Sequence, residues 1–185
     1  MLLLATGALA SFIASSAVSS HAGCAANSRA DIRCGPRVRI VSVGKAARDE
    51  PWVSAAIDVF TTRMRGTLDV ECTFVKDDAA LSAAVNKCAG SGGSDGSVII
   101  LDERGAMATS TQFADRLYSG LEEGGSRLSF FIGGAEGLPK ELKADRRRLL
   151  SLSSLTFPHQ VARLLLVEQI YRATEIRKGS GYHKD

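Results

Sequence analysis

No two of the four cysteines, Cys24, Cys34, Cys72 and Cys88, stand at Cys-x-x-Cys spacing, and no histidine lies at finger spacing from them. A zinc site or a disulfide framework therefore has no ligand set to rest on. Cys72 and Cys88 read as ordinary buried thiols of a reducing compartment. No Gly-x-Gly-x-x-Gly fingerprint follows the first strand candidate, and no Gly-Lys-Ser/Thr occurs, so dinucleotide and P-loop chemistry lack their cradles. Neither sign of charge dominates. The net charge of +3 permits a nucleic-acid partner without demanding one. The first 18 residues are too interrupted by Ser, Thr and Gly for a membrane helix. No internal repeat is visible.

What is present is one globular domain with a leader. The chain has 185 residues, 45% hydrophobic and 23% charged, enough for a single domain with a substantial core. Residues 1–36 differ from the rest. "MLLLATGALASFIASSAVSS" carries no charge, and "HAGCAANSRADIRCGPR" sets Arg29, Arg33 and Arg37 against the single acid Asp31. An apolar stretch followed by a Ser-rich, Arg-containing, acid-poor one reads as a targeting leader, cleaved or disordered. It fits a signal peptide plus transit peptide, or a single organellar presequence. A lipobox is not supported, because His-Ala-Gly precedes Cys24.

From Val38 onward, strands and helices alternate. The pattern predicts strands at 38–43, 68–74, 98–101, 127–132 and 149–153. It predicts helices at 50–64, 78–89, about 110–123 and 159–176, with a short basic helix near 139–148. Strands alternating with helices mean an α/β fold with a largely parallel sheet.

Three strand ends carry residues suited to chemistry: "ILDERG", "FFIGGAEG" and "SLSSLTFPH". Ligands in open α/β sheets bind outside the carboxyl ends of strands, so these three edges can make one pocket. Gly133, Gly134 and Gly137 form G-G-x-x-G, which alone reads best as a tight turn. "GGSDG" at 92–96 matches Gly-x-Ser-x-Gly, but no strand precedes it, so it is no nucleophile elbow. Lys140, Lys143, Arg146, Arg147 and Arg148 make either a solvated face or a phosphate-binding one. Glu168 and Arg172 have i, i+4 spacing for a surface pair, and His159 and Arg163 share that spacing near the start of the last helix. The tail "GSGYHKD" delivers Tyr182, His183 and Lys184: a stacking ring, an imidazole and a cation.

Together "FFIGGAEGLP", "SLSSLTFPHQVARLLLVEQIYRA" and the terminal "GYHK" resemble the RlmH branch of the SPOUT methyltransferases, over about Val38 to Asp185. "VRIVSVGK" and "LDERG" add to the likeness. The resemblance implies an α/β domain over 37–185, a parallel sheet flanked by helices, with a C-terminal trefoil knot. It implies a homodimer that binds S-adenosylmethionine and methylates N3 of a pseudouridine in helix 69 of large-subunit ribosomal RNA, with no metal and no membrane. Carried onto this chain, the cofactor residues are Leu101, Gly134, Ser153, Ser154, Leu155, Thr156, Phe157 and Pro158. The polar, Pro-containing bend before the greasiest helix is then the knot loop around the cofactor's adenine. That helix plugs the knot and contributes to the dimer interface.

An activated methyl leaves the protein mainly with alignment and with the N3 proton. His183 is the candidate base or base-positioning group, Tyr182 the orienting or stacking one. Arg163 and Lys184 are candidates for holding phosphate or the developing anion, and in a dimer the tail can serve the neighbour's cofactor. Ala106 stands where family members often carry Lys. The competing readings are a non-catalytic RNA-binding or assembly factor, and a dinucleotide-dependent oxidoreductase. With the leader, the main reading points to an organelle, plastid ahead of mitochondrion.

Overall fold

The computed structural model describes residues 35–45, 50–90, 98–134 and 137–184. The leader up to residue 34, with Cys24 and Cys34, and the "GGSDG" motif lie outside them. Within them, β1 (Arg37–Val43), α1 (Pro51–Met64), β2 (Asp69–Val75), α2 (Asp78–Gly90), β3 (Val98–Met107), α3 (Ser110–Glu123), β4 (Arg127–Ile132), β5 (Leu149–Ser151) and α4 (His159–Lys178) follow in order. The five strands form one sheet, ordered β2-β1-β4-β3-β5, and every pairing is parallel. All strand C-termini therefore point to the same edge.

The sheet is covered on both faces, and the strand sequences show why. Apolar neighbours in a strand point to opposite faces. Ile40, Ile99 and Phe130 enter one core with Val53 and Ile57 of α1, Leu117 of α3, and Leu166 and Ile170 of α4. Their successors Val41, Ile100 and Phe131 enter the other with Leu81 and Val85 of α2 and with Leu138 and Leu142. Consecutive apolar residues are what a strand buried on both sides requires.

Helix ends follow local chemistry. Pro51 opens α1, where its missing N–H is no loss. Thr109 and Gln112 close a capping box on α3: the Gln112 N–H donates to Thr109 Oγ1 at 3.2 Å, and the Thr109 N–H to Gln112 Oε1 at 3.0 Å. Gly179, at φ 65°, ends α4, with the Gly179 N–H donating to Ile176 and the Ser180 N–H to Glu175. That pair of bonds is the Schellman arrangement, and its left-handed residue suits glycine.

Two expectations change. The basic segment near 139–148 is not an α-helix. It makes successive i→i+3 bonds from Pro139, Lys140 and Glu141, and then a 3-10 turn at Arg146–Arg148 that Asp145 caps through the Arg147 N–H. Leu138 and Leu142 turn into the core, and that anchoring leaves no room for a regular helix before β5. Secondly, β3 does not stop at Leu101. Its register against β5 shifts between Leu101 and Ala106, both of which pair with Leu150, so residues 102–105 form a bulge within the continuous strand.

Candidate functional site

At the C-terminal edge of the sheet, the ends of β3, β4 and β5 frame a cleft of about 710 Å³. The three strand ends singled out in the sequence meet there. Leu101, Gly134, Ser153, Leu155, Thr156, Phe157 and Pro158 all line it, whereas Ser154 is absent from the lining and exposed. Asp102, Glu103, Lys143 and His159 line it too. The volume falls within the usual range of about 300–1,000 Å³ for small-molecule sites.

Each wall has a local cause. The glycine turn closes when the Gly137 N–H donates to the Gly134 carbonyl at 3.1 Å, so G-G-x-x-G is the tight turn its spacing suggested. A Cβ on Gly134 would lie 3.3 Å from Val43 Cγ1, so a side chain there would have to displace β1 side chains or enter the cleft. On the opposite wall, Ser151 Oγ donates to the Ser153 carbonyl at 2.8 Å, and the Leu155 N–H donates to Ser153 Oγ at 3.0 Å. Two short serine bonds thus hold the bend after β5. Pro158 then precedes the first residue of α4, and its carbonyl receives the Ala162 N–H at 2.9 Å. The first turn of α4, with its outward N–H groups, opens on the cleft beside His159.

Charge at the cleft comes from three side chains that sequence reasoning did not single out together. Asp102, only 4% exposed, pairs with Lys143 at 3.1 Å and accepts the Arg104 N–H at 2.9 Å. Lys143 thus supplies a cation at this edge although Ala106 brings none. Glu103 stands beside them, exposed. The pair lies 41 positions apart in sequence, so no local spacing announced it. Among the described residues, no group of three His, Cys, Asp or Glu is placed to hold a metal. No helix among them is long and apolar enough to cross a membrane. Cys72 and Cys88 are half-buried, and Cys88 Sγ accepts from Arg39 Nη2 at 2.9 Å.

The residues fit S-adenosylmethionine. Leu101, Leu150, Leu152 and Leu155 offer apolar surface to an adenine, and the 151–158 bend offers fixed backbone groups. Lys143, Asp102 and Glu103 would offer opposite charges to the zwitterionic amino-acid end and the sulfonium.

The tail is held elsewhere. Tyr182 packs edge-on against Tyr171, ring centroids 4.9 Å apart, under the Arg172 guanidinium at 5.0 Å. Its hydroxyl donates to Glu168 Oε1 at 3.1 Å, and the expected Glu168–Arg172 pair forms at 2.7 Å. His183 is half-buried with Nδ1 turned inward, and Lys184 is exposed. From Ala162, the last residue of α4 in the cleft lining, to Glu168 is six residues, or roughly 9 Å at the helical rise. The tail therefore docks further along α4, and none of Tyr182, His183 and Lys184 lines the cleft of its own chain.

Arg163 differs from the expectation of an RNA-facing cation. It is 1% exposed, with its guanidinium 4.8 Å from the centre of the Phe74 ring. The signal lay in the helical period: Arg163, Leu166, Val167, Ile170, Ala173 and Thr174 form the buried stripe of α4, and position 163 opens it. His159, by contrast, is half-buried and lines the cleft.

Burial, then the Glu168 hydrogen bond and its charge, push the Tyr182 phenol up from its ordinary value. A raised value means the docked phenol keeps its proton as pH rises, and the contact is lost only above the ordinary phenol range. Glu168→Gln removes the charge, so Tyr182 is expected to titrate at lower pH and the tail to leave α4 earlier in an alkaline titration. Tyrosinate absorbance checks this, with Tyr182→Phe identifying the signal. Superimposable wild-type and Glu168→Gln curves would refute the coupling.

Comparison with known proteins agrees with the geometry. The family model described as "Predicted SPOUT methyltransferase" matches residues 37–183. A Protochlamydia amoebophila protein named "Ribosomal RNA large subunit methyltransferase H" is 46% identical over 148 residues, covering 80% of this chain and 99% of that protein. Proteins of the same name from Synechococcus and Polynucleobacter asymbioticus are 42% and 40% identical, covering 80% of this chain and 96% and 99% of theirs. With a family match across nearly the whole described domain and relatives aligned end to end, the chain belongs to the RlmH branch of the SPOUT methyltransferase family.

Proposed function

We propose that this protein is an S-adenosylmethionine-dependent methyltransferase of large-subunit ribosomal RNA, and that its acceptor is N3 of a pseudouridine in helix 69. The observation that carries the reading is the convergence of Leu101, Gly134 and the 153–158 bend on one cleft, in a chain of this family. The names of the relatives support the ribosomal substrate. The base and the atom methylated rest on resemblance to the branch.

The cofactor, when bound, supplies an activated methyl on a sulfonium. The protein's own work is then to hold the acceptor in line and to take up the N3 proton. Leu101, Gly134, Ser153 and Leu155 to Pro158 would bind and orient the cofactor, and Lys143, Asp102 and Glu103 would offer charges to its amino-acid end and sulfonium. His183 receives the proton or positions the group that does, Tyr182 orients the acceptor base, and Lys184 meets phosphate. Buried Arg163 is given no RNA contact; it anchors the start of α4 on Phe74.

None of Tyr182, His183 and Lys184 lines the cleft of its own chain, which favours a homodimer in which each tail serves the partner's cofactor. The bulge of β3 and the bend after β5 are the segments we assign to the trefoil knot. The uncharged, then Arg-containing and acid-poor leader supports an organellar site, plastid ahead of mitochondrion.

The test is direct. The chain from Arg37 onward is offered methyl-labelled S-adenosylmethionine and bacterial-type ribosomes lacking this methyl group. Label at N3 of a helix 69 pseudouridine is the expected result. Cofactor binding with label elsewhere on the RNA would overturn the assigned acceptor. Ribosome binding with no cofactor bound would leave a non-catalytic RNA-binding factor.

A further inference from the structure

The basic segment 140–148 is the sequence motif that the cleft, apart from Lys143, leaves unused. Its last part forms the 3-10 turn Arg146–Arg148, directly before β5. A second hollow, of about 240 Å³, opens there. It sits where β3 begins, at the opposite end of that strand from the cofactor cleft. Arg116, Arg147 and Arg148 line it, with Glu123 and Asp145 as the carboxylates.

The turn is held in place, not merely exposed. Arg116, on α3, donates from Nη2 to the Arg147 carbonyl at 2.8 Å and from Nη1 to the Leu149 carbonyl at 3.2 Å. Those two bonds fix the turn to the start of β5. Asp145 pairs with Arg148 at 3.2 Å and with Arg147 at 3.4 Å. The Arg147 side chain is nonetheless 83% exposed, and Arg146 beside it is exposed as well. Four guanidiniums stand near two carboxylates, so the region is net positive. Ordering of the backbone reduces what these side chains must lose to grip an anion.

Position gives the charge its meaning. β5 is the last strand of the sheet, and only its three residues separate the arginine turn from the bend that lines the cleft. Three residues of strand span roughly 10 Å. A helical nucleic-acid strand carries a phosphate about every 3.4 Å of axis. An RNA strand seated at the cleft and running along β5 would bring a phosphate to the turn.

We propose that the Arg146–Arg148 turn, braced by Arg116, is a phosphate-backbone contact for the substrate RNA along the β5 edge of the sheet. It rests on the reading of the protein as a ribosomal RNA methyltransferase. It adds positioning and affinity and carries no base specificity.

The test uses the full chain and bacterial-type ribosomes lacking the methyl group. Ribosome affinity is measured across a salt series for the wild type, for Arg146→Gln/Arg147→Gln, and for Arg146→Lys/Arg147→Lys. Both positions are exposed, and S-adenosylmethionine affinity serves as a control that fold and cleft are intact. The glutamine pair is expected to weaken ribosome binding roughly tenfold and to lower the slope of log K against log salt by about one per lost phosphate contact. The lysine pair should keep most of the slope, because charge is retained. An unchanged slope and affinity in the glutamine pair, with the wild type binding and methylating normally, would overturn the contact alone. A wild type that binds its cofactor but no ribosome at any salt would overturn the underlying reading and the contact with it.

Discussion

Gly105→Ala is expected to cost about 1–3 kcal/mol or more of stability and to abolish cofactor binding. A Cβ at this position would lie 2.5 Å from the carbonyl carbon of Leu150, 2.6 Å from its nitrogen and 2.7 Å from its Cα. All three are backbone atoms, so no rotamer change relieves the clash. Relief requires β3 to move off β5, and these two strands carry both the 102–105 bulge and the bend that line the cleft. Gly90→Ala is the matched control, since a Cβ there meets nothing within 4 Å. Denaturant midpoints and an S-adenosylmethionine titration on both variants decide it. A Gly105→Ala chain as stable as Gly90→Ala, with normal cofactor affinity, would show that the close approach is not needed.

The second large effect concerns the tail. His183→Ala is expected to lower kcat by about 10²–10⁴, the usual contribution of a positioned acid or base. Cofactor affinity should change far less, because His183 is assigned to the acceptor's proton and not to holding the cofactor. His159→Ala is expected to act the other way, on cofactor affinity first, because His159 lines the cleft. Mixing separates action within a chain from action across a dimer. A Gly134→Val chain keeps its tail but crowds its cleft, since a Cβ there already approaches Val43 at 3.3 Å. If the tail serves the partner, a mixed dimer of His183→Ala and Gly134→Val chains contains one intact pairing, and activity returns when two inactive proteins are combined. No recovery after the chains are unfolded and refolded together would place the tail's role within one chain or remove it.

The elements that were legible in the sequence are those whose cause is local. The helix at 110–123 and the strand at 127–132 fall where the pattern put them, because a capping box starts one and an apolar run makes the other. The cleft was legible in outline for the same reason. Strand ends in a parallel sheet share an edge, so three polar strand ends had to come near one another. The segment at 139–148 misled because its five cations suggest a solvated helix face, whereas Leu138 and Leu142 pull it into the second core as turns. Arg163 misled because a guanidinium reads as exposed, although it begins the buried stripe of α4.

By itself, then, the sequence determined the alternation of strands and helices, the two-sided burial of the strands, and which loops stand at the ligand edge. These depend on side-chain period, caps and turns, all written within a dozen residues. Only the tertiary structure decided that Lys143 pairs with Asp102 across 41 positions, that Gly105 presses against the Leu150 backbone, and that Tyr182 docks on α4 outside the lining of its own cleft. These depend on which surfaces meet when the sheet and its helices close together, and close packing selects such contacts without leaving a local mark.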